Sequence, residues 1–111
     1  MTAETEPWAP DACTLPTAER PLRVAEFDDL FTTSVRAVHR LDPTAVRLDL
    51  EPSADVAARA ANLVVRETGC CSFFTFSLVA TGGELRLDIG VPEEHAEVLE
   101  ALASRASRLA S

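Results

Sequence analysis

Long apolar runs are missing from this 111-residue sequence. No stretch approaches the roughly 20 apolar residues that a membrane-spanning helix needs. The first residues, Met1-Thr2-Ala3-Glu4-Thr5-Glu6, also lack the basic start and apolar middle of a secretion signal. We therefore expect a soluble, cytoplasmic protein that has no membrane partner.

Lysine is absent, and the 10 basic residues are all arginines set against 18 acidic residues, so the net charge is −8. An acidic chain without a basic cluster is poorly suited to neutralising phosphates, which disfavours binding to nucleic acid by this chain alone. The sequence also has no glycine-rich phosphate loop and no paired-carboxylate motif. Nothing in it supports an organic cofactor.

The length fits one domain, and a hydrophobic content of 47% is enough for a core. Residues 1–12 lack periodicity and predict a flexible leader. We expect a single α+β domain over residues 13–106 and a frayed tail over residues 107–111.

Apolar spacing predicts a mostly antiparallel sheet with three helices packed on one face, in the order β-α-β-α-β-β-α. A first short strand opens at Cys13. The following elements are a helix over about 21–40, a strand over 45–51, a helix over 54–68, a hairpin over 73–89 and a helix from Pro92.

The segment from Phe73 to Ala80 is apolar on both of its alternating faces, which is typical of a central strand. The opposite sheet face carries charged side chains. We expect that face to be either solvated or covered by a partner subunit in a homodimer. Its predicted members are Arg47, Asp49, Arg86 and Asp88.

Three cysteines, Cys13, Cys70 and Cys71, are an odd number for a disulfide framework. Cytosolic thiols stay reduced, and adjacent cysteines rarely bridge each other because the small ring distorts the peptide bond between them. The remaining interpretations are metal ligands, a nucleophile, or buried residues that only fill the core.

The position of the pair favours metal binding over a free nucleophile. We predict that Gly69 ends the second helix in a left-handed conformation, which would put Cys70 and Cys71 just beyond a helix C-terminus. The helix dipole there disfavours a free thiolate. When a metal is bound, its charge outweighs the effect of the dipole.

If Cys13 approaches the pair, three thiolates would suit a soft metal or metalloid ion such as Hg(II), As(III), Cd(II) or Cu(I). Zinc is less favoured, because paired Cys-x-x-Cys spacing is absent and His39 or His95 would have to complete the ligand set. His95 precedes Val98 and Leu99 by three and four residues and should face the sheet. It is more simply a core histidine, and a weak candidate as a ligand.

Glu67 lies three residues before Cys70 and would be able to act as proton donor, base or hard co-ligand. The simpler interpretation, which we prefer, is a solvated helix residue paired with a nearby arginine. If the protein is an enzyme, the candidate catalytic residues are Cys13, Cys71 and Glu67.

Two patterns, Cys13-x-Leu15 and Glu67-x-x-Cys70-Cys71-x-Phe73-Phe74-x-Phe76, resemble a small bacterial module. It occurs alone or behind the DNA-binding part of MerR-type, heavy-metal-responsive regulators, and the resemblance covers residues 13–104. It implies thiol-based binding of a heavy metal, in detoxification or sensing.

The sequence is also similar, more faintly, to organomercurial lyase, which cleaves carbon–mercury bonds with two cysteines and an acidic proton donor. That resemblance implies that Cys13 and either Cys70 or Cys71 match the two cysteines. The acid does not carry over, because Pro16-Thr17-Ala18 follows Leu15, and Glu67 would have to substitute for it.

Three hypotheses therefore remain: a binding protein for a soft metal or metalloid ion, an organomercurial-lyase-like or thiol redox enzyme, and a non-catalytic interaction domain with buried cysteines. The expected partner in the first two is a metal ion or an organometal compound.

Overall fold

The computed structural model describes residues 20–70 and 72–110 as an α+β fold. Its elements are α1 (Arg20–Ser34), β1 (Val35–Asp42), β2 (Ala45–Leu50), α2 (Ala54–Cys70), β3 (Thr75–Thr81), β4 (Glu84–Gly90), a 3-10 turn (Glu93–His95) and α3 (Ala96–Leu109). A four-stranded antiparallel sheet with three helices is as predicted. The predicted element order is wrong, because the observed order is α-β-β-α-β-β-α.

The error in order comes from β1, whose residues were predicted to end the first helix. A register shift between Val35 and Ala37 adds a residue to this strand. Val35, opposite Leu50, is buried, and Val38, opposite Leu48, packs against the core, although the two valines are three residues apart. A bulged strand therefore reproduces the spacing of a helix. The strand predicted at Cys13 lies outside the described residues.

Two hairpins make up the sheet, in the strand order β1-β2-β4-β3. In the turn between β1 and β2, Asp42 Oδ1 accepts hydrogen bonds from the backbone N–H of Thr44 at 2.7 Å and from its hydroxyl at 2.8 Å. The turn between β3 and β4 has Gly82 at φ 58° and Gly83 at φ 80°, which is the left-handed pair that a two-residue hairpin needs. The predicted glycine hairpin is confirmed.

Strand β3 lies at an edge of the sheet and pairs only with β4 among the described strands. Among the described strands, β3 therefore does not hold the central position predicted for it, and the strand predicted at Cys13 lies outside them. The sequence of β3 had indicated a strand covered on both faces, whereas β2 and β4 are the strands with two neighbours each.

A single core lies between one sheet face and the helices. Helix α1 contacts both α2 and α3, and ion pairs mark the two helix contacts: Arg59 to Asp29 at 3.0 Å on the α2 side, and Arg105 Nε to Asp28 at 2.8 Å on the α3 side. The buried apolar residues are Phe27, Leu30, Phe31, Val35, Val46, Leu48, Leu50, Val56, Ala60, Leu63, Val64, Phe74, Leu85, Leu87, Ile89, Leu99, Leu102, Ala103 and Ala106.

Helix α2 begins as predicted and ends later than predicted. The Ser53 hydroxyl accepts a hydrogen bond from the backbone N–H of Val56 at 3.1 Å, so Ser53 is the N-cap of this helix. At the other end, Gly69 lies inside the helix, and the described glycines with positive φ are Gly82 and Gly83. The prediction that Gly69 ends the helix in a left-handed conformation is wrong. No helix among the described residues is both long and apolar enough to span a bilayer.

Candidate functional site

The candidate site is the corner where α2 ends and β3 begins. Cys70 is the last residue of α2, and residues 72–74 lead from it to Thr75, the first residue of β3. Cys13 and Cys71 lie outside the described residues. The predicted approach of Cys13 to the cysteine pair stays a prediction.

Glu67 is buried in this corner, with 1% of its surface exposed. It ranks among the large, fully buried side chains of the described chain, beside leucines and phenylalanines. The interpretation of Glu67 as a solvated helix residue is therefore wrong. A fully buried acid in the last turn of a helix, next to a cysteine pair in the sequence, is an unusual feature, because glutamates are mostly exposed in folded proteins.

The spacing of the buried residues on α2 explains this burial. Leu63 and Val64 are buried, and a residue four after the first and three after the second falls on the same stripe of a helix. Glu67 is that residue. The sequence contains this signal, because the helical position of Glu67 predicts burial and only its polarity indicates exposure.

Three phenylalanines and His95 form an aromatic cluster at the same corner. The ring centroids of Phe73 and Phe74 are 4.8 Å apart, and those of Phe74 and Phe76 are 5.3 Å apart. The His95 ring stacks on Phe73 with a centroid separation of 4.1 Å and an interplanar angle of 19°. This stack connects the start of α3 to the segment that follows the cysteine pair, a contact that sequence spacing did not predict.

His95 is half-buried and ends the 3-10 turn, where its backbone N–H donates to the Pro92 carbonyl at 2.9 Å. The stack on Phe73 is what joins it to the corner. His39 lies elsewhere: it belongs to β1, at the opposite edge of the sheet from β3, and its Nε2 is 2.8 Å from Asp49. Of the two histidines, only His95 belongs to this corner.

The charged residues of α2 itself do not favour a free thiolate at its C-terminal end. The last turn of α2 contains no basic residue. Arg66, one turn earlier, turns toward α1, where Nη1 is 3.0 Å from Glu26 and Nε donates to Asn62 at 2.8 Å. Since the C-terminal end of a helix dipole is negative, a thiolate here needs a positive partner such as a metal ion.

Within the described residues, no three side chains from His, Cys, Asp and Glu come close enough together to hold a metal ion. A metal site of three such ligands at this corner would need residues outside the described ones, and the predicted ligands Cys13 and Cys71 are among those. What the described residues supply at this corner is a buried acid, Glu67, and an aromatic cluster that includes His95.

Comparison with known proteins adds no family assignment. No protein-family model, no curated protein and no solved structure matches this chain.

Proposed function

We propose that this protein binds a soft metal or metalloid ion of the Hg(II), As(III), Cd(II) or Cu(I) class through Cys70 and Cys71, with Cys13 as the third ligand. Adjacent thiols favour such ions, because soft thiolates bind soft cations best. The resemblance of residues 13–104 to the module of heavy-metal-responsive regulators points to the same chemistry.

The observation that carries the proposal furthest is the buried Glu67, one helical turn before Cys70. Thiol ligands must lose their protons when a metal binds, so a nearby group that takes up or relays a proton assists the reaction. The helix end offers no basic residue in its last turn to stabilise thiolates without a metal.

The test is a titration of the reduced full-length protein with Hg(II) and, separately, with As(III), in the presence of a competing small thiol. We expect one ion per chain and a thiolate-to-metal absorption band. Cys70→Ser with Cys71→Ser should abolish binding, and Cys13→Ser should weaken it by about tenfold or more. If the double variant binds as tightly as the wild type, the proposal is wrong.

A second candidate function is protonolysis of an organomercury compound, which the burial of Glu67 favours. In such a reaction the carbon–mercury bond breaks, the carbon takes a proton from the Glu67 carboxyl group, and the mercury remains on the cysteine thiolates. A carboxyl group sheltered from water is suited to donate a proton in this way.

Release of benzene from a phenylmercury compound, in the presence of excess thiol, tests this second function. We expect Glu67→Gln to lose benzene release while retaining Hg(II) binding, because the amide keeps the shape of the side chain and cannot donate the proton. Absence of turnover by the wild-type protein would leave metal binding as the function. Cysteines that resist a thiol reagent in the folded protein, with no metal bound, would instead favour the non-catalytic interaction domain.

A further inference from the structure

The two edges of the sheet are protected to different degrees. Strand β1 has two register shifts and carries charged side chains along its length, both of which hinder pairing with another strand. Strand β3 spans seven residues, Thr75–Thr81, with no charge, proline or glycine. An uncharged, regular edge strand is a template for a further strand.

The described residues also leave the core incompletely covered at β3. The side chains of β2 and β4 that face the helices, such as Leu48 and Leu87, are fully buried. In β3, Phe76 and Leu78 share that face, because they lie opposite Ile89 and Leu87, yet both remain partly exposed. The sequence of β3 is typical of a central strand, and the described residues leave its inner face partly exposed, so this edge has room for a neighbouring strand.

Helix α2, which contacts β3, has no charged residue on the flank that lies nearest to this strand. Arg59 and Arg66 lie on one flank of α2, where each forms an ion pair with an acidic residue of α1. The opposite flank lies on the side of β3, which α2 contacts, and helical spacing assigns it only small or apolar residues. Val65 on this flank is 69% exposed and is the more open of the two exposed large apolar side chains in the described chain. The flank comprises Ala54, Ala57, Ala61, Val65 and Thr68.

We propose that β3 pairs antiparallel with β3 of a second copy, forming a continuous eight-stranded sheet about a two-fold axis at Leu78. The hairpin turn has two residues, so its closing pair, Thr81 and Glu84, exchanges hydrogen bonds within the hairpin. The N–H and C=O groups of alternate residues Phe76, Leu78 and Ala80 then point to the open edge. Two copies centred on Leu78 match these groups in about six hydrogen bonds.

The charge of the chain favours a second copy as the occupant. At a net charge of −8, two copies repel each other over most of their surfaces. The strip formed by β3 and the outer flank of α2 carries no charge, so it is a place where two identical acidic chains can meet. The same axis brings the two α2 helices together near Ala61, where small side chains allow close approach.

The area available fits a moderate association. The interface would be as long as seven strand residues at about 3.4 Å each, and as deep as the sheet and one helix together. These dimensions give a buried area of about 500 Å² per copy. The total of about 1,000 Å² lies at the lower limit for specific interfaces. We therefore expect a dimer with a Kd in the micromolar range, about 1–100 μM.

Sedimentation velocity of the full-length, reduced, metal-free protein over about 1–500 μM tests the proposal. We expect a concentration-dependent dimer. Val65→Glu should raise its Kd by at least about tenfold, because two new carboxylates would meet at the interface. Leu41→Glu is the matched control, since Leu41 is an exposed apolar residue at 51%, on the strand at the opposite edge, and should leave the Kd unchanged.

A second variant tests the strand pairing itself. Ala80→Pro removes a backbone donor that points to the open edge and should also weaken the dimer, with an unchanged far-UV circular dichroism spectrum. In the wild type, protection of the Phe76, Leu78 and Ala80 amides from hydrogen exchange should increase with protein concentration.

Three results would overturn the proposal. The first is a wild-type protein that stays monomeric over the whole concentration range. This includes the case in which the Phe76, Leu78 and Ala80 amides are protected at every concentration, because another part of the same chain would then cover the edge of β3. Another is dimerisation of both Val65→Glu and Ala80→Pro with the wild-type Kd. The third is a loss of dimer in Leu41→Glu as large as that in Val65→Glu.

Discussion

The inner and outer faces of strands β2 and β4 differ sharply, although their residues alternate along the same strands. On the inner face, Leu48 and Leu87 lie opposite each other and neither has any exposed surface. On the outer face, Arg47 lies opposite Asp88 and donates to it through Nε at 2.8 Å, with about a third of each side chain exposed. One strand pair therefore supplies both the core and a charged surface.

This difference shows where the stability of the fold resides. Apolar burial stabilises by about 25 cal/mol per Å², so full removal from water makes each inner leucine a large contributor. The outer ion pairs remain in contact with water, where a charge pair contributes little. We expect substitutions on the two faces to differ accordingly.

The largest effect is expected at the centre of the inner face. Leu87→Ala should lower the free energy of unfolding by about 2–5 kcal/mol, because it leaves a cavity between the sheet and the helices. Urea denaturation measures this loss as a lower midpoint at an unchanged slope. Ser77→Ala, on the outer face of neighbouring β3, is the control and should change stability by less than about 0.5 kcal/mol. Equal effects of the two substitutions would contradict the comparison.

The alternation that separates these faces was readable in the sequence, since it depends only on the two-residue period of a strand. The hairpin turn and the Ser53 cap were readable for the same reason: each depends on residues close together in the chain. The failures arose where local pattern was ambiguous. At Val35 and Val38 a bulge produces helical spacing, and at Glu67 a polar residue occupies a core position.

The position of β3 was unpredictable for a different reason. Its apolar character indicates burial on both faces, but strand order depends on pairing between β2 and β4, which are far apart in the chain. The same limit applies to the candidate site. The Phe73–His95 stack joins two elements separated by a whole hairpin. The predicted approach of Cys13 to the cysteine pair would be a long-range contact of the same kind.

A smaller effect is expected on the outer face, and it should depend on position. Asp88 interacts with two arginines, because Arg86 Nε is also 3.7 Å from its carboxylate and has no hydrogen-bond partner in the described chain. Asp88→Ala should lower the Tm by about 2–5 °C, since it leaves both guanidinium groups without this carboxylate.

Asp49→Ala provides the comparison within that face. Asp49 pairs with His39 at 2.8 Å, and about half of each side chain is exposed, so its loss should lower the Tm by about 1 °C or less. Thermal unfolding followed by circular dichroism measures both variants. A larger drop for Asp49→Ala than for Asp88→Ala would mean that exposure does not set the strength of these pairs.

The smallest effect is expected at the exposed ion pair between Arg40 of β1 and Glu100 of α3. Arg40 lies opposite Val46 and reaches Glu100 of α3, with Nε 3.0 Å from the carboxylate. Hydrogen bonds from Arg40 and then Ser104 lower the pKa of Glu100 below its ordinary 4.5.

A carboxyl group with a lowered pKa in the folded protein stabilises the fold above its unfolded pKa and stops doing so as the pH falls through the folded value. Glu100→Gln should therefore be slightly less stable than the wild type near about pH 7, and the difference should disappear in acid, at pH values below 4.5. Tm measured against pH for both proteins tests this. The hydrogen bonds from Thr44 lower the pKa of Asp42 in the same direction, so both proteins should keep a common acid sensitivity, and only the difference between them reports on Glu100. A difference that persists unchanged in acid would show that the Glu100→Gln substitution alters packing on α3 instead of removing a charge pair.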